Sequence, residues 1–235
     1  MRIVVTRPRV EGERTATALR ECGHEVLVTP LMRIESMTAD LGGAWSGVIV
    51  TSANAANAIR DNSSCNVLMK LPLFAVGRRS AEAARESGFK DALSADGGVR
   101  DLLQLIGTRR PDRNTPLLYL AGEDRAADLI GELSARGIAA EMRVVYRAVA
   151  LPFPPALKDA LEAGIVDAVM HFSRRAADSY VAGAKMAGVA APALAVRHLC
   201  LSSQVAEPLA DASRVDIASR PDEAALIELL QAPTA

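Results

Sequence analysis

Six short turns carry the residues through which this chain could do chemistry. They are Thr6-Arg7-Pro8, Thr51-Ser52-Ala53-Asn54, Val76-Gly77-Arg78-Arg79-Ser80, Ala121-Gly122-Glu123-Asp124, Phe172-Ser173-Arg174-Arg175 and Leu201-Ser202-Ser203-Gln204. Each follows a short apolar run and opens a helical pattern. Their residues are small or hydroxylic, with arginines alongside, a set that would suit a polyanion held by backbone N–H, hydroxyl and guanidinium donors. The hydroxyls have a second reading. Thr51, Ser52, Ser173, Ser202 and Ser203 also fit as helix N-caps, each worth about 1 kcal/mol. The two roles compete only in part, because one cap leaves other first-turn N–H groups open. The arginines, taken singly, also read as solvated surface charge. Tyr146 stands apart from the turns. It closes the apolar run Met142–Tyr146, where a phenol either donates a proton or hydrogen bond or plugs the edge of a core.

Several chemistries lack their residues. There is no GxGxxG after a strand, no GxxxxGK followed by Ser or Thr, no HExxH and no GxSxG, which removes the main support for dinucleotide, P-loop, metalloprotease and serine-hydrolase chemistry. His24, His171 and His198 are widely separated, and core or surface roles suit each better than catalysis. Cys22, Cys65 and Cys200 are distant and odd in number, so neither a disulfide framework nor a zinc site is expected. Lys and Arg total 27 against 28 Asp and Glu, which leaves no global field for nucleic acid or an anionic membrane. The chain opens directly on a strand-like run, with no leader and no long apolar span, so a cytoplasmic protein is expected. Half of its 235 residues are apolar, enough for one or two compact domains with real cores.

The turns need a frame to hold them. Apolar runs at Ile3–Thr6, Val26–Thr29, Val48–Thr51, Leu73–Val76, Leu117–Leu120, Met142–Tyr146, Ala168–His171, Leu199–Leu201 and Val215–Ala218 alternate with helical patterns. They seldom alternate apolar with polar, as expected for parallel strands covered on both faces. Helices are expected over Glu11–Cys22, Arg79–Ser87 and Asp124–Arg136, each followed by a glycine suited to a left-handed C-cap: Gly23, Gly88 and Gly137. A weak repeat runs through the chain. Val48–Ser52 parallels Val169–Ser173, Phe74–Gly77 parallels Leu199–Ser202, and Leu19–Gly23 parallels Leu133–Gly137 at similar offsets. Each unit is strand, tight turn, helix, which predicts two α/β lobes of similar topology. Segments Pro30–Met37 and Arg143–Pro155 read as crossings between lobes, the second stiffened by Pro152, Pro154 and Pro155. Composition alone would cut the chain once, near residue 150.

Together these pieces resemble the uroporphyrinogen-III synthase family. The likeness is carried by Val4-Val5-Thr6-Arg7-Pro8, Ile49-Val50-Thr51-Ser52-Ala53-Asn54-Ala55 and Ala75-Val76-Gly77-Arg78-Arg79-Ser80-Ala81. It continues through Leu118–Gly122, Gly137 to Val145-Tyr146, Phe172-Ser173 and Leu201–Leu209. Each motif is loose alone; their order and spacing make the match specific. There are departures. The last turn reads Ser202-Ser203-Gln204-Val205-Ala206 where the family often has Gly-x-x-Thr-Ala, so a threonine hydroxyl is missing at Val205, and Ser80 stands where Thr is usual.

The resemblance implies two flavodoxin-like or Rossmann-like lobes with parallel sheets, joined by a two-stranded β ladder. It replaces the single cut by a discontinuous lobe, 1–32 with 152–235, and a second lobe, 37–143, with 33–36 and 144–151 as linkers. It implies an enzyme that closes hydroxymethylbilane to uroporphyrinogen III with loss of water and inversion of ring D, as a monomer without cofactor or metal. It also implies Tyr146 as the catalytic residue. Substrate binding then falls to Thr6, Arg7, Thr51, Ser52, Ala53, Gly77, Ser80, Gly122, Ser173, Ser202, Ser203 and Gln204. Two other classes compete: a non-catalytic bilobed protein that binds or senses a small anion, and a nucleotide-dependent Rossmann-type transferase. The missing phosphate motifs weigh against the transferase.

Overall fold

The computed structural model describes residues 1–231 apart from 61, 63–64, 110–111 and 125–127. Its strands are β1 (Arg2–Val5), β2 (Glu25–Val28), β3 (Met32–Ser36), β4 (Val48–Val50), β5 (Leu73–Ala75), β6 (Ala92–Ser94), β7 (Leu117–Gly122), β8 (Ala140–Ala150), β9 (Ala168–His171), β10 (Arg197–Cys200) and β11 (Arg214–Ile217). The helices are α1 (Arg9–Glu21), α2 (Ala53–Ala58), α3 (Cys65–Leu68), α4 (Arg78–Glu86), α5 (Val99–Arg109), α6 (Leu129–Ser134), α7 (Pro155–Glu162), α8 (Arg174–Met186), α9 (Ala190–Ala195), α10 (Ser203–Ala206) and α11 (Glu223–Gln231).

The chain divides into two compact units, Met1–Arg33 with Val149–Ala235, and Ile34–Ala148. The first holds a five-stranded sheet in the order β11-β10-β9-β1-β2, parallel throughout. A single cut near residue 150 therefore fails, because β1 pairs with β9 from the far end of the chain. The second unit carries β8-β7-β4-β5-β6, also parallel, with β3 added beside β8 at the sheet edge.

Strand order explains the sequence repeat. Reading outward from the middle, β9, β10 and β11 take the places of β4, β5 and β6, while β1 and β2 take those of β7 and β8. The α1 turn ending at Gly23 and the α6 turn ending at Gly137 are thus equivalent. Both glycines have positive φ, +81° and +67°, as a left-handed cap requires.

The apolar runs form strands because both of their faces are buried. In the second unit Val48, Val50, Leu73, Ala75, Leu118 and Leu120 enter one core, while Ile49, Phe74, Leu117, Tyr119 and Ala121 enter the other. In the first unit Val4, Val169 and Cys200 belong to one core, and Ile3, Val5, Ala168, Met170 and Leu199 to the other. This is the period-2 alternation of a strand with helices on both sides.

The two crossings form the two-stranded ladder that the resemblance implied, and two elements, β6 and α6, differ from expectation. The segment around Pro30–Met37, read as a crossing, forms β3, and β8 is twice as long as the apolar run that predicted it. The two support each other: Met37 N donates to Val145 O at 2.7 Å and Leu151 N to Leu31 O at 2.8 Å. One partner number rises as the other falls, as in an antiparallel ladder. Strand β6, Ala-Leu-Ser, lacks any β-branched residue and is an edge strand recruited by β5. In the expected helix Asp124–Arg136, residues 125–127 lie outside the described residues, and α6 begins at Leu129 with the Asp128 carboxylate accepting from Gly131 N at 3.0 Å.

Candidate active site

Parallel strands bring all their carboxyl ends to one edge of a sheet, where the following helices start. Ligands in such folds gather where the strand order reverses. In the second unit that reversal falls between β4 and β7, and in the first between β9 and β1. The turns after these strands are those singled out by residue type.

In the second unit the β4 turn holds Thr51, Ser52 and Ala53. Ser52 caps α2, its hydroxyl accepting from Asn54 N at 3.2 Å. Thr51 is not a cap; its hydroxyl lies 3.1 Å from that of Tyr119 on β7. Sequence pattern places Tyr119 only within an apolar strand and gives no sign of this polar contact. Gly77 is the N-cap position of α4 with φ −145°, and a Cβ there would meet nothing within 4 Å. Neither backbone nor packing demands this glycine. Ser80, one turn into α4, is buried. Arg78 in the same turn is exposed and ion-paired to Asp96 at 2.9 Å, and the Ser94 hydroxyl and Arg78 hold that carboxyl below its usual range.

Gly122 ends β7 and stands opposite Tyr146 of β8. Tyr146 is half-buried and packs on the rim of the core that holds Val145. The strands bring together Ser52, Gly77, Gly122 and Tyr146 at one sheet edge.

In the first unit Thr6 is fully buried and donates to Met170 O at 3.0 Å, so its side chain is spent inside the sheet. Arg7 lies over the Phe172 ring at 4.1 Å and donates to Glu223 at 2.9 Å and to Thr15 at 3.0 Å. Burial alone would raise the Glu223 carboxyl, yet the Thr15 hydroxyl and the Arg7 and Arg14 guanidiniums hold it below its usual value. Ser173 caps α8, accepting from Ala176 N at 3.2 Å. Ser202 occupies the cap position of α10 without a side-chain cap bond, and Ser203 and Gln204 are exposed in its first turn. Val205, where the family often has threonine, is buried.

The remaining reactive side chains sit away from these turns or are silenced. His171 and His198 are fully buried and hydrogen-bonded to each other at 3.0 Å, with the Tyr180 ring against both. Burial and Asp216 push the Cys200 thiol up to about 12. Among the described residues no cluster of three or more His, Cys, Asp or Glu could hold a metal ion, and no helix is long and apolar enough to cross a membrane. A groove of about 550 Å³ in the first unit, lined by Arg2, Glu25, Leu27, Asp159 and Ile165, lies where β1 and β2 begin rather than where they end.

Comparison with known proteins agrees with this frame. The family described as uroporphyrinogen-III synthase HemD matches residues 13–228. The fold is similar to the crystal structure of uroporphyrinogen-III synthetase from Helicobacter pylori, at 18% identity and a TM-score of 0.71, with 98% of this chain and 99% of that one covered. It is also similar to a mutant uroporphyrinogen III synthase from Thermus thermophilus, at 19% identity and a TM-score of 0.52, with 98% of each chain covered. A search of curated proteins gives no significant match.

Proposed function

The chain belongs to the uroporphyrinogen-III synthase family, and on that premise we propose how its strand-end turns divide the work of the reaction. The enzyme closes hydroxymethylbilane, a linear tetrapyrrole bearing acetate and propionate carboxylates, to uroporphyrinogen III with loss of water and inversion of ring D. Nothing in the sequence or structure favours an anion sensor over this enzyme.

The reaction's difficulty is regiochemical. The free substrate closes spontaneously with ring D uninverted, so the protein has two tasks: to hold the chain in a fold that brings the substituted carbon of ring D onto the far methylene, and to ease departure of the hydroxyl. Tyr146 serves the second task. Its phenol donates toward the leaving hydroxyl, water departs, and an azafulvene cation remains. Ring D attacks through its substituted carbon to give a spiro pyrrolenine, which fragments and recloses inverted; the ring carbon that forms the last bond releases the proton that balances the one given to water.

Carboxylate binding falls to the turns. In the second unit the donors are Thr51, Ser52, Ala53, Gly77 and Ser80, with the helix dipole of α4 adding to them and Gly122 standing beside Tyr146. In the first unit they are Ser173, Ser202, Ser203 and Gln204, with Arg7 behind them and Thr6 shaping the end of β1. The observation that carries this reading is the strand order: both sheets reverse direction at the turns that residue type alone selected. Localisation in the cytoplasm and action as a monomer without nucleic acid or membrane partners complete the proposal.

The test is to incubate the protein with freshly made hydroxymethylbilane, oxidise, and separate the porphyrin isomers. Predominant type III product is expected. Type I product at the uncatalysed rate would sink the activity, and a Tyr146→Phe variant with unchanged turnover would remove Tyr146 from the mechanism.

A further inference from the structure

The place where Tyr146 sits has an unusual construction. Strand β8 pairs with β7 in regular register up to Ala121 opposite Val144, then skips a residue, so that Gly122 stands opposite Tyr146. Val145 is the extra residue of a β-bulge, and Glu123 N closes the ladder beyond it by donating to Tyr146 O at 2.9 Å. In an unbroken strand Val145 and Tyr146 would point to opposite faces. Here Val145 is buried in a core and Tyr146 packs against that same core, a re-aiming of a side chain that bulges commonly perform.

Gly122 completes the arrangement. A Cβ at Gly122 would lie 2.6 Å from Cζ, 2.8 Å from Oη and 2.9 Å from Cε2 of Tyr146. The polar end of the phenol thus rests directly on the bare α-carbon. The backbone of Gly122 is not in the left-handed region, so conformation does not require glycine, and its nearest constraint is this ring.

We propose that Gly122 is a positioning residue for Tyr146, and that the bulge at Val145 together with the missing Cβ sets where the phenol oxygen stands. This rests on the reading of Tyr146 as the group that assists the leaving hydroxyl. It gives Gly122 a role distinct from carboxylate binding, because the glycine acts through the tyrosine. A methyl group at this position pushes the ring aside by the order of an ångström, and a displacement of that size can cost up to about a hundredfold in rate.

The experiment is a double-mutant cycle in the full chain with Gly122→Ala, Tyr146→Phe and the pair, read as kcat, KM and the ratio of type III to type I product. Gly122→Ala is expected to lower kcat at least about tenfold with KM changed by less than about twofold. In the Tyr146→Phe background it is expected to cost nothing further, because the oxygen it misplaces is already gone. Multiplicative losses, a raised KM with kcat intact, or wild-type kcat in Gly122→Ala would each overturn the positioning role. If Tyr146→Phe keeps full kcat, the reading of Tyr146 fails first and the proposal falls with it, an outcome distinct from the others. A second measurement does not need activity. With 3-fluorotyrosine at the three tyrosines, Gly122→Ala should move most the ¹⁹F resonance that Tyr146→Phe deletes. An unmoved resonance, or global unfolding of Gly122→Ala, would show that the contact is not the local one inferred.

Discussion

Arg7 shows how one strand-end residue can serve the fold and the ligand at once. Its side chain is 10% exposed, and it joins three distant pieces of the first unit: Thr15 on α1, Phe172 after β9, and Glu223 on α11. Removing the guanidinium leaves the Glu223 carboxylate, 28% exposed, with the Thr15 hydroxyl and Arg14 as its partners. Arg7→Ala is therefore expected to cost about 1–3 kcal/mol of stability at neutral pH, by analogy with lost hydrogen bonds to charged groups, less whatever solvent returns to Glu223. The shift of the urea midpoint would measure it. Wild-type stability with a raised KM would instead give the guanidinium to the substrate. The hydroxyls beside it divide similarly: Ser52 and Ser173 are caps, whereas Thr51 meets another phenol and Thr6 holds the sheet.

At the level of elements, β9 and β10 carry the most exacting contact of the first unit. Their neighbouring imidazoles share one hydrogen bond, and His171 Nδ1 and His198 Nε2 have no partner among the described residues. Burial holds His198 down to about 4, against a smaller upward pull from the Ala193 carbonyl, and burial with the neighbouring His198 drives His171 well below its ordinary value. The unfolded chain protonates these rings near 6.5, so it binds more protons than the folded chain at lower pH. Stability is then complete above about pH 6.5 and falls as pH drops. For His198 the loss reaches roughly 3 kcal/mol by pH 4, with His171 adding in the same direction. Urea midpoints at pH 7 and pH 5 should differ accordingly. A His171→Leu/His198→Leu double variant should show a flatter dependence, and an equal slope in the two proteins would mean that the pair does not titrate.

For the whole molecule the decisive feature is which chain segments make each unit. Ile34–Ala148 is continuous and owns its cores, whereas the first unit needs both chain ends, since β1 lies between β9 and β2. Fragment 34–148 is expected to unfold cooperatively in urea by itself, as a unit with its own core can. Fragment 149–235 should fail to do so unless residues 1–33 are supplied, because it would leave β9 as an open, apolar edge. Cooperative unfolding of 149–235 alone would refute this account of the first unit's core.

The sequence by itself determined the strands other than β3 and β6 and their burial on both faces, the glycine-capped helix ends, the repeat, and the small hydroxylic turns. All of these are local: a period-2 buried run, a cap glycine such as Gly23 or Gly137, and a Ser52 or Ser173 before a helix are written into a few adjacent residues. The resemblance added a reaction that no spacing could reveal. Only the tertiary structure decided that β1 pairs with β9 inside the discontinuous lobe that the resemblance implied, that Ala92–Ser94 is a strand, that Arg7 finds Glu223 and His171 finds His198, and that Gly122 makes room for Tyr146. Those contacts depend on which edges meet after long stretches of chain have closed. Pairing between distant segments is set by the joint packing of many side chains, and it leaves no periodic mark on the residues that take part.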